Sequence, residues 1–142
     1  MRVRHGDFEL DDEPGRVDAD AVWAFLSTGA YWGRWRTRAD LDRQLAAAWR
    51  VVGAYRVPSG EQVGFARAIS DGVAFAYLAD VFVLPSARGA GLGTALVRTM
   101  VDAGPGADFR WALHTEDAHG LYGKFGFAEP DARYLERSPR RS

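Results

Sequence analysis

Arg88, Gly89, Ala90, Gly91, Leu92 and Gly93 spell R-x-x-G-x-G, and Thr94 follows directly. Glycines at alternate positions allow φ > 0 and let a ligand approach the main chain without meeting a Cβ. An apolar run, Val81 to Leu84, comes before them and stops at Pro85; an amphipathic run comes after. The turn therefore joins a strand to a helix. The first N–H groups of a helix have no partners within it and carry partial positive charge. Strand, glycine turn and helix start together make an anion cradle, suited to phosphate or pyrophosphate. A nucleoside-triphosphate loop needs a lysine ahead of the Ser or Thr, which this turn lacks. A dinucleotide fingerprint wants G-x-G-x-x-G early in a domain and a ribose-binding acid after the next strand, and neither is present. A plain strand-to-helix turn, with glycines for packing, is the remaining alternative.

Asp80 interrupts the apolar run Y-L-A-D-V-F-V, where an unpaired carboxylate is costly. It is either hydrogen-bonded for structural reasons or faces a cleft, where burial raises its pKa into the range useful for a base. His114 and His119 are the alternatives for that role, because histidine ordinarily titrates near neutrality. Tyr31, Trp32 and Trp35 stand in the aromatic and basic stretch G-A-Y-W-G-R-W-R. Their faces suit an ammonium or an aromatic substrate, and Arg34, Arg36 and Arg38 suit a carboxylate; a hydrophobic lid with a solvated basic rim explains them equally well. No His, Asp and Glu cluster has ligand spacing, so no metal is expected.

The elements that must hold these residues follow from periodicity. Phe8 and Leu10 alternate as a first strand, ended by the turn Asp11 to Gly15. Asp18 or Asp20 caps a helix carrying Val22, Trp23, Phe25 and Leu26. Thr37 caps a second helix, with Asp40 completing a capping box and Leu41, Leu45, Ala48 and Trp49 as its stripe. Val51 to Val57 reads as a strand. Val63, Phe65 and Ile69 share one face of the next, and Asp71-Gly72 turns it tightly into a strand from Val73 to Leu84. The helix after the glycine turn carries Leu92, Leu96, Met100 and Ala103. Phe109, Trp111 and Leu113 alternate as another strand, Asp117 to Phe125 forms a short helix, and Arg133 to Glu136 is expected to close the sheet.

The chain has 142 residues, 47% hydrophobic and 26% charged, with a net charge of −1 and no cysteine. Those values suit one ordinary globular α+β domain over residues 1–142, with a core about 8–136 and a fraying tail at 137–142. A charge near zero argues against nucleic-acid or anionic-membrane partners. The absence of cysteine excludes disulfides and thiolate nucleophiles. With no leader-like or membrane-length apolar run, a cytoplasmic location is expected.

The R-x-x-G-x-G turn in its strand-helix setting resembles the acetyl-coenzyme A pyrophosphate loop of the GNAT N-acetyltransferase superfamily. The segment Ala118 to Phe127, A-H-G-L-Y-G-K-F-G-F, is similar to that family's A-x-x-L-Y-x-x-x-G-F, and the order of elements agrees over roughly Phe8 to Glu136. The resemblance implies a mixed, mostly antiparallel sheet flanked by helices. It implies transfer of acetyl from acetyl-CoA, without metal, to a primary amine of a small molecule or peptide by direct attack in a ternary complex. Tyr122 is then the acid that protonates the departing thiolate. Phe82 and Val83 give main-chain contacts to the pantetheine arm, with an oxyanion donor near Val83. Arg88, Gly89, Ala90, Gly91, Gly93 and Thr94 hold the pyrophosphate. Thr115 replaces an asparagine common in the family as a pantetheine contact, and Tyr31, Trp32 and Trp35 line the acceptor loop. A homodimer is a further implication. A non-catalytic acyl-CoA-binding regulator and a nucleotide-binding module are the rival readings.

Overall fold

The computed structural model describes residues 1–28 and 35–140. Among these, six strands form one sheet in chain order: β1 (Arg2–His5), β2 (Phe8–Asp11), β3 (Arg50–Arg56), β4 (Gln62–Ser70), β5 (Phe75–Val83) and β6 (Arg110–Ala112). Every neighbouring pair is antiparallel except β5 and β6, which run parallel. The helices are α1 (Ala19–Thr28), α2 (Arg38–Ala47), α3 (Leu92–Val97), which runs on as a π-helical stretch to Asp102, and α4 (His119–Gly123). This is the mixed, mostly antiparallel α+β architecture expected. No helix among the described residues is long and apolar enough to cross a membrane.

Local chemistry explains the helix starts. Asp18 accepts from the Ala21 N–H at 3.1 Å and opens α1. At α2 the capping box is complete: Thr37 Oγ1 accepts from the Asp40 N–H, and Asp40 Oδ2 accepts from the Thr37 N–H. Parallel strands need a long crossover. The stretch between β5 and β6 supplies it and lays α3 across one face of the sheet. Leu92, Leu96 and Met100 there meet Leu10, Val52, Ala54, Ala66 and Leu78. On the opposite face, Val22, Leu26 and Leu41 of α1 and α2 meet Val51, Phe65 and Phe82, and Phe25 stacks on Phe82 at 4.1 Å.

Several expectations are corrected. Val63 does not share the face of Phe65 and Ile69: Val63 joins the α3 side, Phe65 the α1 side, and Ile69 keeps the parity of Phe65 but is 49% exposed. Tyr55 pairs with Gln62 and Ala54 with Gly64, so Val63 is an extra residue that breaks the alternation. The turn after β4 is wider than two residues. Asp71 Oδ1 gathers the Val73 and Ala74 N–H groups and keeps them out of the ladder, so β5 starts at Phe75. Arg133 to Glu136 is not a strand. Its Arg133 N–H is taken by the Asp131 carboxylate and its Tyr134 N–H by the Asp131 carbonyl, and Leu135 is fully turned to solvent. The strand β1 was not expected; Gly6, at φ +58°, turns it tightly onto β2.

Candidate active site

The parallel pairing of β5 with β6 covers only Phe75 to Tyr77 against Arg110 to Ala112. Beyond Tyr77 no strand among the described residues pairs with that edge of β5. Residues 78–83 therefore border a notch about 20 Å long at the usual strand rise. The glycine turn stands at its far end. Pro85–Ala87 makes a single 3-10 turn, and Gly89 and Gly91 take φ +92° and +72°, values that favour glycine. Gly91 is the N-cap of α3, and no acceptor among the described residues takes the amides of residues 89–94. Those amides remain available to an anion. A Cβ on Gly89 would meet nothing within 4 Å, so the space beside the turn is open.

Three ties steady this loop, and none of them was foreseen from the sequence. Arg88 Nε donates to the Val83 carbonyl at 3.0 Å, so part of its guanidinium anchors the turn to the end of β5. Arg56 Nη2 donates to the Ser86 carbonyl at 3.2 Å. His5, at the end of β1, places Nε2 2.7 Å from the Ala90 carbonyl. Nothing in the local sequence around His5 signals a partner so far along the chain. Gly93 and Thr94 fall in the first turn of α3 behind the loop.

Tyr122 on α4 is buried, 8% exposed, and meets Phe127 edge-on at 5.8 Å. Its hydroxyl has no hydrogen-bond partner among the described residues. Burial, and then the nearby Asp117 charge, push its pKa up, so it holds its proton. It borders a cavity of about 840 Å³ along β6, whose walls include Trp111, His114, Thr115 and Tyr134. Thr115 Oγ1 accepts from the Ala118 N–H at 3.1 Å, setting the start of α4 while keeping its own proton free to donate. Phe82 and Val83 lie on β5 opposite Phe65 and Gly64, with the Phe82 ring in the core.

The expectation that Asp80 has a raised pKa is overturned. Its Oδ1 accepts from Arg36 Nη2 at 2.8 Å, and its Oδ2 from Arg36 Nη1 and Arg67 Nε, each at 2.9 Å. Burial alone would raise its pKa; the Arg36 hydrogen bonds and the two guanidinium charges more than offset that and hold it below the ordinary carboxylate range. A carboxylate held this way is a poor base, so the catalytic assignment of Asp80 is corrected to a structural one. Asp80 has φ +56°, tolerated by aspartate, at a bulge where Asp80 and Val81 face Ala66 alone. Its partner was legible: Arg67 interrupts the apolar strand β4 as Asp80 interrupts β5, and Arg67 pairs with Ala79.

The basic rim expected for a substrate carboxylate is corrected in the same way. Arg36 is buried on Asp80 and Gln44, and Arg38 is paired with Asp20 and Asp42. Trp35 is half-exposed ahead of α2, 5.7 Å from the Arg36 guanidinium. Tyr31, Trp32 and Arg34 lie outside the described residues. A further constellation was not foreseen. The Tyr77 hydroxyl bonds His114 Nδ1, and His114 Nε2 bonds the Glu136 carboxylate. No group of His, Asp and Glu that could hold a metal ion occurs among the described residues.

Comparison with known proteins adds a second line. The sequence model of the acetyltransferase (GNAT) domain matches residues 47–129. A solved structure from Xanthomonas campestris pv. campestris, described as a GNAT-family acetyltransferase, superposes with a TM-score of 0.84 at 34% identity, covering 93% of each chain. A Gibberella zeae protein described as an acetyltransferase is 35% identical over 112 residues, 78% of this chain and 61% of its own length. The chloroplastic serotonin N-acetyltransferase 2 of Oryza sativa subsp. japonica is 43% identical over 82 residues, 52% of this chain and 38% of its own. The chain thus spans less than two thirds of the length of either of these curated relatives.

Proposed function

The chain belongs to the GNAT acetyltransferase family, and on that premise we propose that it moves acetyl from acetyl-CoA to a primary amine of a small molecule or peptide. The observation that carries this reading is the set of unpartnered amides at residues 89–94, directly after a strand whose residues 78–83 have no partner on the β6 side among the described residues; Tyr122 borders a cavity along β6. The amides and α3 would hold the diphosphate, because a glycine turn at a helix start stabilises phosphate oxygens. The edge of β5 around Phe82 and Val83 would take the extended arm as a sheet takes another strand. The amine then attacks the thioester carbonyl directly, a route that needs no protein nucleophile and suits a chain without cysteine. Tyr122, kept protonated by burial, is the acid for the departing thiolate.

Free-thiol release from acetyl-CoA over a panel of amines and peptides tests the reading. The name of the rice relative puts serotonin and other arylalkylamines first in that panel. Thiol release that needs an added amine is the expected result. Coenzyme binding with no release across the panel would instead indicate a non-catalytic acyl-CoA sensor. A rise in melting temperature with ATP or NAD but not with coenzyme A would overturn the cradle assignment.

A further inference from the structure

We infer that Tyr77, His114 and Glu136 form a relay that takes the proton from the acceptor nitrogen. This rests on the acetyl-transfer reading and supplies the base that Asp80 cannot be. The Glu136 carboxylate only accepts, so His114 must carry its proton on Nε2, the nitrogen that bonds Glu136. Nδ1 of the neutral ring is then an acceptor, and the Tyr77 hydroxyl donates to it. The rings of Tyr77 and His114 stand 5.6 Å apart. The Tyr134 hydroxyl donates to the same Glu136 oxygen at 3.3 Å and helps hold the carboxylate in place.

Position supports the role. Tyr77 and Ala112 are the last residues paired between β5 and β6, so the relay sits where the notch closes, at the opposite end from the glycine turn. His114 borders the same cavity as Tyr122, which brings a proton acceptor and a proton donor to one space. Burial, with the charges around it, keeps Tyr77 neutral by raising its pKa, so its oxygen gains a proton only as its own passes to His114.

The protons balance as follows. An acceptor ammonium gives one proton to the Tyr77 oxygen while the Tyr77 proton moves to His114 Nδ1. The resulting imidazolium is stabilised by Glu136 and later releases its proton to solvent. The neutral amine forms the C–N bond, and the C–S bond breaks. The second nitrogen proton leaves as the amide forms and passes through solvent to the Tyr122 oxygen, replacing the proton that Tyr122 gives to sulfur. Facing the relay from neighbouring elements are Arg67 on β4, Asp80 on β5, and Tyr134 with Glu136 on the C-terminal segment. Arg110, Glu129 and the Asp131–Arg133 pair add charge along the cavity wall, which His119 also lines.

The test is a pH profile of kcat/KM for His114→Gln and Tyr77→Phe, read beside coenzyme A affinity by calorimetry. Each variant should lose about a hundredfold for an alkylamine, the usual scale of general-base catalysis. Coenzyme affinity should not change, and the acidic limb of the wild-type profile should be replaced by one set by the amine itself. The double variant should be no worse than either single one, because the two side chains act as one unit. A weakly basic aromatic amine, already neutral in the assay, should lose far less. Wild-type kcat/KM and profile in His114→Gln would overturn the relay. Nitrogen-15 shifts of the His114 ring in the unliganded protein give a readout independent of any acceptor: Nε2 protonated is expected, and Nδ1 protonated sinks the relay. A wild type that binds coenzyme A yet acetylates nothing defeats the acetyl-transfer reading, and the ring shifts still judge the relay geometry.

Discussion

Tyr122, Asp80 and Tyr55 show how one environment, a dry interior, sends three side chains to different tasks. Tyr122→Phe removes the proton donor and little volume. Turnover should fall about a hundredfold or more, the usual contribution of a positioned acid, while coenzyme affinity measured by calorimetry stays the same. Asp80 neutralises part of a buried cluster that holds two guanidiniums. Replacing it by Asn leaves those charges uncompensated and should destabilise the fold by about 3–5 kcal/mol in chemical denaturation. Its pKa is depressed in the folded state, so its stabilisation is complete above about pH 4, the ordinary aspartate range, and is lost as pH falls through the lower folded value. Acid unfolding below pH 4 should therefore be shallower in Asp80→Asn. The Tyr55 hydroxyl is buried with no hydrogen-bond partner among the described residues, under the Arg16 guanidinium at 4.0 Å from the ring, and burial pushes its pKa to about 12. Tyr55→Phe removes an unsatisfied polar atom and should raise stability by about 1 kcal/mol, seen as a higher melting temperature.

At the scale of elements, the glycine turn is held by β1 through His5, by β3 through Arg56 and by β5 through the Val83 carbonyl. A cradle tied on three sides offers its amides in a fixed arrangement, which lowers the ordering cost of binding. Gly91→Asp tests it at the cost of some backbone strain, since φ +72° favours glycine. A Cβ there lies 3.7 Å from His5 Nε2, an ordinary contact, and aspartate tolerates positive φ better than most residues. The variant should melt a few degrees below the wild type, as about 1 kcal/mol of strain implies, but lose at least a hundredfold in coenzyme A affinity by titration calorimetry, because its carboxylate repels the diphosphate. Retained affinity would place the anion elsewhere. The short ladder between β5 and β6 has the complementary role: it joins the strands at Tyr77 and leaves them apart beyond.

For the molecule as a whole, local signals were legible in the sequence and distant pairings were not. The Thr37–Asp40 capping box, the strand-turn-helix at Gly91 and the alternation of β6 depend on neighbours within a few residues, and they stand where periodicity puts them. Val63 was misassigned because a bulge spends one residue without any mark in side-chain chemistry. The strand expected at Arg133 to Glu136 lost to turn chemistry at Asp131, a competition that hydrophobic pattern does not weigh. Tyr77, His114 and Glu136 come from three separated segments, as do His5 and Ala90, and only the folded topology brings them together.

The bare stretch of β5 bears on how the protein is handled in the laboratory. An uncovered strand edge is a template on which a neighbouring molecule adds its own backbone, and a net charge of −1 offers little mutual repulsion to prevent it. Concentrated ligand-free samples should grow in light scattering over hours of storage. A molar excess of coenzyme A should suppress that growth, whereas equal ionic strength from sodium chloride should not.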